Sequence, residues 1–206
     1  MLLLKLAYRY LLIISVCSVL SGCSLLLKNN YGYNELSDYN ESEYEEFISA
    51  FDPTDIKHFK SSDYQYKQFI ELGSDSARKK DLNQPVQILY FNDSILLSYH
   101  ANCYAKGTLS GLDWNYENRF DQFPPASAIE SSLFDLSLLE ITNIYDRITP
   151  TKKYTVLVFW SWMLEGVSKD AISSVLDNRI KNGSNENCEV ILINTDAYWS
   201  EKFKEN

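Results

Sequence analysis

Tyr154 to Trp162 reads YTVLVFWSW, and Cys188 to Thr195 reads CEVILINT. Each is a continuous apolar run of strand length, the pattern of a strand buried on both faces. Between them, Ser168 to Lys181 carries Ile172, Val175, Leu176 and Ile180 at helical spacing. Ser168 is the expected N-cap and Asn182-Gly183 the expected stop. Strand, helix, strand at this spacing predicts a right-handed βαβ unit. The fold class that follows is α/β (or α+β), with the βαβ unit at the C-terminus.

Working outward, Pro85 opens a second strand signal. Val86 to Phe91 (VQILYF) and Ser94 to Ala101 (SILLSYHA) flank the turn pair Asn92-Asp93, which predicts a hairpin. Residues 102–125 read as loop. Ile129, Leu133, Leu136, Leu139, Ile144 and Ile148 recur at helical intervals, and Pro150 ends that helix. Residues 47–84 read as a helical segment. Tyr44, Phe47, Ile48 and Phe51 sit at i, i+3, i+4 and i+7, Asp52-Pro53 breaks the pattern, and a second helix starts near Ser62 with Tyr66, Phe69 and Ile70 on one face. Residues 74–84, including Arg78-Lys79-Lys80, read as a solvated connection.

The N-terminus carries a different kind of signal. Lys5 and Arg9 precede Tyr10 to Leu20, which is apolar except for Ser15 and Ser18. That run is short for a helix spanning a ~30 Å hydrocarbon core. It ends in Leu20-Ser21-Gly22-Cys23. The segment resembles the lipobox signal of bacterial lipoproteins: an aliphatic residue, two small ones, then Cys. The resemblance implies that residues 1–22 are removed, that the Cys23 thiol takes a diacylglyceryl thioether, and that the new amine is acylated. Three acyl chains, palmitate among them, anchor a protein stably where one does not. Ser24 in place of Asp implies the outer membrane rather than the inner.

Cleavage would leave 184 residues and remove Lys5 and Arg9, taking the net charge from −9 to −11. The lipidated Cys23 and residues 24–46 read as a tether holding six acids against Lys28, a net −5, so the domain beyond carries −6. This acidity argues against a nucleic-acid partner. GxGxxG and GxxxxGK[ST] are both absent, so the usual phosphate-cradling loops are missing. Two His in the chain leave little material for a His-rich metal site, and no cofactor or metal is expected.

Val156 to Ser161 (VLVFWS) resembles the thioredoxin superfamily. Its envelope members carry an apolar strand ending in Phe-Trp-Ala/Ser, then Cys-x-x-Cys at a helix start. Residues 154–198 bear this likeness, but Leu164 and Val167, or Met163 and Gly166 one residue earlier, stand where the cysteines belong. Dithiol exchange needs a thiolate there, so Met163, Leu164, Glu165, Gly166 and Val167 form a degenerate active-site loop. Glu165 reads as a dipole-stabilised acid more readily than as a functional carboxylate. In that family a second strand pair and a last helix follow the βαβ unit. Here a Pro-led hairpin and a helix precede it. Either the hairpin completes one permuted mixed sheet within residues 85–206, with Pro85 near the 163–167 loop, or it forms a separate small sheet.

The remaining chemistry is sparse. Cys103 and Cys188 are the thiols left after processing, either bonded to each other or free. His100-x-x-Cys103 lacks the second ligand pair of a zinc site. Asp113, Glu117 and Asp121 beside Trp114 and Tyr116 suggest a glycan site or, more simply, a solvated face. The expected function is an outer-membrane-anchored lipoprotein with a redox-inactive, thioredoxin-like binding or accessory domain. Its partners would be the membrane, through its acyl chains, and an envelope protein. The alternative is an envelope enzyme or thiol-redox component using Cys103, Cys188 or the carboxylates near 113–121.

Overall fold

A computed structural model describes residues 41–51, 56–101, 135–181 and 186–204. The fold is α/β. Five strands form one mixed sheet in the order β1-β5-β4-β2-β3, where β1 is Ile56–Lys60, β2 Gln87–Asn92, β3 Ile95–Ala101, β4 Tyr154–Trp160 and β5 Cys188–Asn194. Strands β1, β5 and β4 run parallel, and β2 joins β4 antiparallel, with Gln87 opposite Phe159 and Asn92 opposite Tyr154. The hairpin is therefore part of the main sheet and not a separate one. Its turn falls at Asp93-Ser94, one residue later than expected, with Asp93 at φ 51°, a conformation that a short polar side chain tolerates.

Among the described residues six helices cover the sheet: α1 Glu41–Ser49, α2 Asp63–Glu71, α3 Ser76–Leu82, α4 Leu138–Ile144, α5 Glu165–Lys181 and α6 Asp196–Lys204. Alternation along the strands sorts the core into two layers. Leu89, Phe91, Leu157, Phe159, Ile191 and Ile193 meet Tyr66 and Phe69 of α2, Leu82 of α3, Ile141 of α4 and Trp199 of α6. Ile88, Tyr90, Val156, Val158, Val190 and Leu192 face the other way, toward Phe47 and Ile48 of α1 and Ile172 and Val175 of α5.

Several expectations change. Residues 47–84 are not helical throughout, because Ile56–Lys60 is an edge strand paired to β5. Residues 76–82 form α3 rather than a loop, capped by Asp75 and anchored by fully buried Leu82. Gly73 lets α2 end directly against α3, since a Cβ there would lie 2.5 Å from the Lys79 nitrogen. Glu41 to Glu46 belong to α1 and not to a tether. The helix expected over 129–148 is, within the described residues, only α4. Its start is set by a capping box between Ser137 and Glu140. Helix α5 starts at Glu165, so Ser168 lies inside it and is no N-cap, and Ile180 is 62% exposed instead of lining the inner stripe.

Candidate functional site

The parallel strands β4 and β5 end together, and open α/β sheets bind ligands at such carboxyl ends. Strand β4 runs into Ser161, Trp162 and Met163, and β5 into Thr195 and Asp196. All five are buried. The Thr195 N–H donates to the Trp160 carbonyl at 2.9 Å. Its hydroxyl donates to that carbonyl at 3.1 Å and to the Pro85 carbonyl at 3.4 Å. Pro85 thus stands beside the start of the 161–167 loop, at the mouth of the hairpin.

Asp196 closes this end. Its Oδ1 accepts the Ser161 hydroxyl at 2.5 Å, both its oxygens accept the Trp162 N–H at 3.0 Å, and Oδ2 accepts the Asn194 amide at 2.7 Å. In return the Asp196 N–H donates to Asn194 Oδ1 at 3.2 Å. Ser161 Oγ also accepts the Met163 N–H at 3.2 Å. The Ser168 hydroxyl donates to the Ser161 carbonyl at 2.8 Å and accepts the Ser161 N–H at 3.3 Å. Burial pushes the Asp196 carboxyl above its ordinary range, and the neutral donors around it pull back only part of the way. The Ser161 proton is committed to Asp196 and the side chain is fully buried. The pair therefore locks a loop and does not present a nucleophile.

The loop residues named from sequence lie together here. Met163 is 6% exposed and packs into the layer containing α2 and α6, while Leu164 touches both layers and Val167 packs on the α1–α5 side. Glu165 and Gly166 open α5, both part-exposed. No thiol lies among them.

Cys188 sits elsewhere, at the opposite end of β5, free and buried, its pKa pushed up by desolvation to about 12. At neutral pH burial holds the thiol protonated, away from the thiolate form that attacks or ligates. Cys103, and with it the Cys103–Cys188 pairing, lies outside the described residues.

His100 is buried in β3 with Ser98 Oγ 3.3 Å from its Nε2, and desolvation lowers its pKa to about 4. Among the described residues no cluster of three or more His, Cys, Asp or Glu is placed to hold a metal. Asp113, Glu117, Asp121 and Cys23 lie outside the described residues, as does the 23–40 part of the tether. Among the described residues no helix is long and apolar enough to cross a membrane.

Asp196 and Asn194 were missed from sequence. The available signal was a polar Asn-Thr-Asp run ending a wholly buried strand. No protein-family model, curated protein or solved structure matches this chain.

Proposed function

We propose that the chain is an outer-membrane-anchored lipoprotein, lipidated at Cys23, whose domain is thioredoxin-like and redox-inactive and serves as a binding or accessory module. The observation that carries the redox-inactive reading is the closed end of β4. Where that family would expose a thiolate, Met163 is packed into the core, Leu164 is part-buried against it, and the backbone of Trp162 and Met163 is tied to Asp196 and Ser161. The likeness to the thioredoxin superfamily is supported by the βαβ strands β4 and β5 and by a hairpin that completes the same sheet from upstream. The hairpin precedes the βαβ unit instead of following it, the order that the permuted reading requires. The anchor rests on Leu20-Ser21-Gly22-Cys23.

Two measurements test this. The full chain expressed in a Gram-negative host with an alkyne palmitate should incorporate the label, and Cys23→Ala should abolish it. Equal labelling of the variant sinks the anchor. The mature protein treated with a maleimide at pH 8 should leave Cys188 unmodified until urea is added, and it should not reduce insulin disulfides. A thiol reacting faster than free cysteine would instead favour the redox component.

A further inference from the structure

We draw no further inference here: the strongest candidate, the side-chain cluster of Tyr90, Ser98 and His100 on the β2–β3 hairpin, is buried, and nothing among the described residues shows what covers it.

Discussion

Strand β5 is bracketed by two buried carboxylates that are held in opposite ways. Glu189, near its start, pairs with the Lys57 ammonium and accepts the Thr151 N–H at 2.8 Å and the Thr151 hydroxyl at 3.0 Å. Asp196, just past its end, is met by a hydroxyl, an amide and a backbone N–H, all neutral. Burial raises both carboxyls. At Glu189 the cation and the Thr151 donors overcome that and the net shift is downward, whereas at Asp196 neutral donors do not and the net shift is upward. Desolvation is the largest cause at both carboxyls; at Glu189 the lowering contacts, led by the Lys57 hydrogen bond, together exceed it, and at Asp196 four hydrogen bonds from neutral groups do not. The Glu189 end ties strands and a loop together from 132 residues apart, and the Asp196 end immobilises the segment that follows β4.

The largest test is Asp196→Ala. It strands the Ser161 hydroxyl, the Trp162 N–H and the Asn194 amide in the core, and should cost about 3–5 kcal/mol in urea denaturation. A loss under 1 kcal/mol would mean the loop finds other partners. His100 comes next, because its titration overlaps those of the carboxylates. Its folded pKa is depressed to about 4, so its contribution is complete above pH 6.5 and disappears as pH falls toward 4. That contribution is on the order of 3 kcal/mol. His100→Gln should remove most of the acid-induced drop in urea midpoint between pH 7 and 5. An unchanged drop would place the buried titration elsewhere.

Glu189→Gln should lose roughly 1–2 kcal/mol at pH 7, since Lys57 is part-exposed and can turn to water. The smallest effect is the most diagnostic and is read in the His100→Gln background. A lowered pKa stabilises above the unfolded value of about 4.3 and loses that as pH falls, so the gap between parent and Glu189→Gln should shrink on acidification. A raised pKa stabilises most below about 3.9 and loses that as pH rises, so the gap between parent and Asp196→Asn should grow on acidification. Two gaps moving in the same direction would refute the contrast.

The same contrast separates what was legible in the sequence from what was not. Strands β4 and β5 announce themselves because burial on both faces demands unbroken apolar runs, and β2 and β3 because their apolar runs flank a turn pair. Strand β1 did not, because Ile-Lys-His-Phe-Lys has three basic positions. At a sheet edge Lys57 can reach Glu189 and Lys60 can reach Glu41, so the charges are tolerated. Helix α3 was hidden for a related reason, since only Leu82 among its seven residues is buried. Ile180 misled because the buried face of α5 continues through Asn178 and Arg179, beside which Ile180 turns outward. Ser168 looked like a cap, but its hydroxyl answers Ser161, seven residues back and across a turn. The Asp196 clasp is invisible to local pattern because its donors lie at positions 161, 162 and 194, brought together only by the β4–β5 pairing.

The edge position of β1 also fixes an order of events. Its sole ladder partner among the described residues is β5, which lies far downstream, with Lys57 and Glu189 132 residues apart. The β1–β5 pairing cannot form until residues 188–194 have been made, so β1 waits for its partner while everything between them is synthesised. Such distant pairing slows folding.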